Sequence, residues 1–307
     1  MNRLDRRLSL LHRLAWLCVV TVLAVTTLSA FIRLSNAGLG CADWPQCYGE
    51  RGLQAAAFTG ARSHEVNATV VARIAHRVMA VAALLIIVLL IVVCLGGRPR
   101  LRGSGAIAVA LLALALFLAV LGRWSSGARI PAVAMANLIG GFAMLALSLR
   151  LAIRTDVSPP RQRVAAVVAL LLLVVQVGVG GLVSASHSGL SCVGWSDCIA
   201  AARDVPWSTL DPWREPLLTA RPPFNEAGAL SQSIHRGIAV LLVLAISALS
   251  LLAWRGGRRR TATALVVLLA VQTLVGLAMT QGSLPLALAL LHNVLAACLF
   301  ATLVLLV

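Results

Sequence analysis

Eight apolar segments of about 20 residues recur along the chain, and each is long enough to cross a hydrocarbon core of roughly 30 Å as an α-helix. They fall near 14–33, 68–96, 105–122, 131–153, 163–184, 228–253, 261–281 and 285–307. The pattern predicts an all-α integral membrane protein with eight transmembrane helices.

Composition strengthens that reading. Of the 307 residues, 60% are hydrophobic and only 12% charged, with a mean hydropathy of +0.94, where a soluble domain is nearer half apolar and a quarter charged. The net charge of +16 comes from 26 arginines, with no lysine present. A pI near 11.6 invites a nucleic-acid reading. The arginines instead sit in short clusters between apolar runs rather than on one basic face, so no nucleic-acid partner is expected.

Those clusters orient the chain. Fifteen arginines precede the first span or lie around 98–102, 150–163 and 255–260, opposed only by Asp5 and Asp156. Eight lie on the other side with the remaining eight acidic residues. The positive-inside rule therefore places both termini in the cytoplasm and the loops 34–67 and 185–227 outside, as in a bacterial inner membrane. The first apolar run lacks a small-residue cleavage site and reads as a span rather than a signal peptide. Arg73, Arg77 and Arg236 fall at or within spans, where an ionisable residue is costly and marks function.

The two outer loops repeat each other. Gly38-Leu39-x-Cys41-x-x-Trp44-x-x-Cys47 recurs as Gly189-Leu190-x-Cys192-x-x-Trp195-x-x-Cys198, offset by 151 residues. The following span of each half carries His-Arg, as His76-Arg77 and His235-Arg236, offset by 159. In the last span of each half Asn137 and His292 correspond, offset by 155. The chain thus divides into 1–157 and 158–307, two parallel repeats of four spans. Cysteines six apart could ligate a metal. The oxidising side of the membrane, with no third or fourth ligand repeating nearby, favours two intraloop disulfides. Cys18, Cys94 and Cys298 lie in apolar runs and read as small hydrophobes.

His12, His64 and His187 flank spans or lie in loops and read as solvated. His76, His235 and His292 lie seven to nine residues from the outer ends of their helices, roughly 10–14 Å deep at 1.5 Å per residue. Asn137 joins the same layer. Two histidines at matched depth on different helices meet the requirement for axial ligation of a heme iron from opposite faces, which is the expectation for His235 with His292. Arg77 and Arg236, directly after His76 and His235, are placed to reach outward to heme propionates. Read without a heme, they are cations snorkelling to the interface.

These residues resemble the heme A synthase family. The resemblance is carried by Arg33, the run Gly38-Leu39-Gly40-Cys41-Ala42-Asp43-Trp44-Pro45-Gln46-Cys47-Tyr48-Gly49, the second cysteine pair, both His-Arg pairs and His292, and it covers all eight spans. It implies two pseudosymmetric four-helix bundles. The carboxy-terminal one would hold a heme b cofactor through His235 and His292. The amino-terminal one would take heme O and oxidise its C8 methyl to the formyl group of heme A, with His76 at the catalytic site. Membrane lipid, a heme O synthase and cytochrome oxidase assembly factors are the implied partners, and an oligomer stays open. Two positions depart from the family pattern: Asn137 stands where a second histidine is expected, and Arg73 where a glutamate precedes the first histidine by three residues. Asparagine is a poor iron ligand and arginine cannot act as a carboxylate. The alternatives are therefore a non-catalytic heme-binding or heme-carrying paralogue and, third, a bis-histidine electron-transfer cytochrome.

Overall fold

The computed structural model describes residues 3–36, 68–125, 130–153, 158–216 and 225–307. The first-loop motif with Cys41 and Cys47, and His64, lie outside the described residues. Nine α-helices and two short 3-10 turns make up the described secondary structure. The helices are α1 (Arg3–Asn36), α2 (Ala68–Leu95), α3 (Arg102–Ser125), α4 (Pro131–Ala152), α5 (Pro160–Ala185), α6 (Trp195–Ala202), α7 (Ala229–Arg255), α8 (Arg259–Gln281) and α9 (Leu286–Val304). All but the short α6 are long and apolar enough to cross a membrane.

The helices start and stop where local chemistry allows. Pro131 and Pro160 open α4 and α5, where the missing N–H is no loss and the fixed φ suits a helix. Gly257, at φ +78°, turns the chain between α7 and α8. The first helix begins at Arg3 rather than near 14. Hydropathy marks only the part of a helix inside hydrocarbon, whereas arginine and leucine propagate it into water. That extension is used: Arg7 donates to the carbonyls of Val93 at 2.5 Å, Cys94 at 2.7 Å and Pro99 at 2.7 Å, closing the C-terminal end of α2.

Apolar side chains fill the core and also cover the outside. Leu85, Leu171 and Leu274 are more than 60% exposed, as expected of side chains that face lipid. Small residues let the backbones approach. A Cβ on Gly181 of α5 would come within 3.0 Å of Met135 on α4, and one on Gly141 of α4 within 2.9 Å of Thr26 on α1. In the first half α1 packs on α2 and α4, α2 on α3, and α3 on α4. In the second, α5 packs on α7 and α9, α7 on α8, and α8 on α9. The same ring of contacts recurs, which fits two related bundles. They meet where α4 touches α5 and α9, and α1 touches α9. Phe142 of α4 stands edge-on to Phe300 of α9 across that seam, with ring centroids 6.1 Å apart.

The second outer loop is tied down at several points. Cys192 and Cys198 form a disulfide. Ala132 at the start of α4 donates to Pro212 at 2.8 Å, so this loop also reaches the other half. Beneath it Asn225 donates to the carbonyl of Ser186 at 2.7 Å, while the Ser191 hydroxyl donates to the carbonyl of Asn225 at 2.5 Å. His187, expected to be solvated, is partly buried here, and burial lowers its pKa, favouring the neutral ring. His12 is exposed, as expected. Cys18 and Cys94 are buried free thiols, and Cys298 is a free thiol half-buried in α9.

Candidate functional site

The carboxy-terminal bundle brings four polar side chains to one layer, one from each helix. His235 comes from α7 and His292 from α9, helices diagonally placed in the contact ring. His292 is near enough to act electrostatically on His235. Each imidazole is met by a glutamine from a neighbouring helix. Gln176 of α5 has its Nε2 3.3 Å from His235 Nε2, and Gln272 of α8 has its Nε2 3.1 Å from His292 Nε2. One turn after each glutamine stands a glycine against the same ring. A Cβ on Gly180 would lie 2.9 Å from His235 Cε1, and one on Gly276 3.2 Å from His292 Cε1. Each imidazole occupies a slot that a larger residue would fill.

The layer is polar and incompletely satisfied. His235 Nδ1, His292 Nδ1, Gln176 Oε1 and Gln272 Oε1 are all buried without a hydrogen-bond partner among the described residues. An orphaned buried polar atom costs about 1–3 kcal/mol, so four in one layer of matched pairs are a standing cost to the empty bundle. A ligand that engages one nitrogen of each ring relieves the two histidine atoms. Among the described residues no cluster of three or more histidine, cysteine or carboxylate groups is placed to hold a bare metal ion. Two imidazoles on opposite helices match instead an iron whose other positions are filled by a porphyrin. The donor set and the slots therefore fit a heme.

Arg236, expected to reach a propionate, is turned to the disulfide loop. Its guanidinium donates to the carbonyls of Cys192 at 3.3 Å, Val193 at 3.2 Å and Gly194 at 3.3 Å, and lies 3.0 Å from Cys198 Sγ. Ser233 adds a bond to the Cys198 carbonyl at 3.0 Å, and Gln232 one to the Gly189 carbonyl at 3.3 Å. Residues 232, 233 and 236 thus lash the N-terminal end of α7, next to His235, to the loop. A planar donor fork with several carbonyls in reach is well suited to such a role. Across the seam Arg33 of α1 donates to Asn293 Oδ1 at 3.3 Å, next to His292.

The amino-terminal bundle is different. His76 is partly exposed on α2, with Arg73 and Arg77 exposed on the same helix, and Asn137 is partly buried on α4. Asn137 lies one turn before Gly141, the glycine that meets Thr26 of α1, which sets that face of α4 toward its own bundle. No glutamine corresponding to Gln176 or Gln272 is present. The loop offset of 151 puts Val25 and Ser29 where α5 has Gln176 and Gly180. Offsets of 155 to 159 put Gln272 on residues 113–117, all apolar.

Sequence reasoning found the histidines but missed Gln176, Gln272 and their glycines. The signal was present: Gln-x-x-x-Gly occurs once in α5 and once in α8, with the polar residue deep in an apolar run.

Eight helices long and apolar enough to cross a membrane define the class: a polytopic membrane protein, with a layer of paired histidines between its helices. Comparison with known proteins specifies it. The chain belongs to the COX15-CtaA family of cytochrome oxidase assembly proteins, matched over residues 12–304. It is similar to the heme A synthase of Shewanella oneidensis, 30% identical over 95% of both chains.

Proposed function

We propose that this protein is a heme A synthase, oxidising the C8 methyl of heme O to a formyl group for cytochrome oxidase assembly. The observation that carries the reading is the His235–His292 layer with its unengaged ring nitrogens, set in a chain of this family. In this reading His235 and His292 of residues 158–307 would hold a resident heme b, whose iron would supply one-electron chemistry. Residues 1–157 receive the substrate heme O at His76, with Arg77 and Asn137 lining the site. Arg236 acts from the loop rather than on a propionate. Both termini lie in the cytoplasm of a bacterial inner membrane. A heme O synthase and oxidase assembly factors are the partners that pass on substrate and product.

His76 with Asn137 rather than a second histidine leaves one axial side of a bound heme without a strong protein ligand. A second reading, a heme-carrying paralogue without catalysis, is favoured by Arg73 and Asn137 at positions where the family pattern has a carboxylate and a histidine. The ligand assignment is tested by reduced-minus-oxidised spectra of the purified protein. His235→Ala and His292→Ala should each abolish the low-spin band, and a band unchanged in both would place the heme elsewhere.

A further inference from the structure

We propose that the exposed apolar side of the disulfide loop, formed by Val193, Trp195 and Ile199, seats in the headgroup boundary of the bilayer and holds the loop at that level. The partner of this surface is lipid.

The short helix α6 is two-sided. Trp195 and Ile199 stand four residues apart and share one face, with Val193 just before the helix. Ser196, Asp197 and Arg203 lie round the other side. The three apolar side chains are 45–71% exposed, the same range as Val240, Leu244 and Leu251 of α7 at 50–62%. A loop surrounded by water gains nothing by displaying a tryptophan, an isoleucine and a valine together. A boundary with one apolar and one wet side suits such a helix, and tryptophan above all.

The patch is held against α7 with its apolar side outward. Cys198, between Trp195 and Ala202, is buried in its bridge to Cys192. The Asp197 carboxylate accepts the N–H of Val193 at 2.8 Å. Arg236 donates to the carbonyls of Val193 and Gly194 at 3.2 and 3.3 Å, directly before Trp195.

The helix that carries Arg236 supplies the level. Val240, Leu244 and Leu251 form the lipid-facing stripe of α7, and Trp254, also exposed, continues it. Arg236 stands one turn before Val240 on the same side. From Arg236 to Trp254 is about five turns, or about 27 Å, close to the roughly 30 Å of a hydrocarbon core. Trp254 ends the stripe with the Arg259 guanidinium 5.7 Å from its ring centroid, aromatic and basic residues together as at a membrane boundary. The other end has the same pairing made from two segments, Arg236 from the helix and Trp195 from the loop that it holds. A cation on the lipid-facing side of a span is tolerated where the hydrocarbon stops. If Trp254 marks one boundary, the other falls at Arg236, and the loop residues tied to Arg236 fall with it.

The test uses the full-length holoprotein, labelled with fluorotryptophan, in phosphatidylcholine nanodiscs and observed by fluorine NMR. Trp195→Phe and Trp254→Phe assign the two resonances, and Trp195→Tyr assigns the first where the phenylalanine variant fails to accumulate. Two broadening agents are compared: a phosphatidylcholine with a nitroxide near the head of its acyl chain, and a gadolinium chelate confined to water. The lipid nitroxide should broaden the Trp195 resonance at least about threefold more than the chelate does, as for the boundary residue Trp254. A chelate effect equal to or above that of the nitroxide would place the patch in water and overturn the proposal. Broadening by neither agent would mean that protein covers the patch, and would overturn it equally.

Discussion

Replacing Gly180 with alanine puts a methyl group in the space that the His235 ring uses. The new carbon would stand 2.9 Å from Cε1, against an ordinary carbon contact from about 3.5 Å, so the ring must move by about 0.6 Å. The same change at Gly276 starts from 3.2 Å and requires only about 0.3 Å from His292. A ligand constellation must be held to within about 0.5 Å to work. Gly180→Ala therefore crosses the threshold and Gly276→Ala does not. The fold itself should tolerate both. Alanine gains about 1 kcal/mol over glycine in a helix interior, against about 1–3 kcal/mol for overpacking. The assay is heme content per protein by pyridine hemochrome, with the low-spin spectrum beside it and thermal unfolding as the control on folding. The expected order of heme content is wild type, close to Gly276→Ala, then Gly180→Ala well below both. Equal content in all three, or a greater loss at Gly276 with folding intact, would refute the slot geometry.

Three further outcomes follow from the disulfide loop at the start of α7 and from the charge pattern. Arg236→Ala removes a charged fork from three carbonyls and a sulfur and should cost about 1.5–3 kcal/mol. It should lower the unfolding temperature and loosen the heme without changing its ligand class. Loss of the Cys192–Cys198 bridge by Cys192→Ser with Cys198→Ser should destabilise the loop by about 2 kcal/mol, read by proteolysis from the outer side. Reporter fusions at Arg98 and Gly189 should give opposite compartments, and the same compartment for both would overturn the orientation read from the arginines.

The spans were legible because hydrocarbon imposes one demand on every residue within it, and a mean over 20 residues averages out local exceptions. The N-terminal extension of α1 was not, since Arg3 to Arg13 obey helix propensity rather than hydropathy. The histidine layer was legible as depth along separate helices, because residue counts convert directly to ångströms. Which face of each helix turned inward was not, so the glutamine behind each ring stayed hidden among apolar neighbours. Arg236 shows the other limit. Its position beside a histidine invited a propionate, and the return of the disulfide loop sets backbone carbonyls within its reach as well. A side chain's neighbour in sequence is a poor guide to its partner when a folded loop lies above the helix.

The central claim is tested most directly by extracting the hemes from cells that make this protein together with a heme O synthase and separating them by chromatography. Heme A should appear, and His76→Ala should abolish it. Arg73→Glu with Asn137→His, which restores the family pattern, should raise the yield above that of the natural chain. Accumulated heme O with no heme A, from a protein whose low-spin heme is intact, would contradict the account and leave a heme carrier in its place.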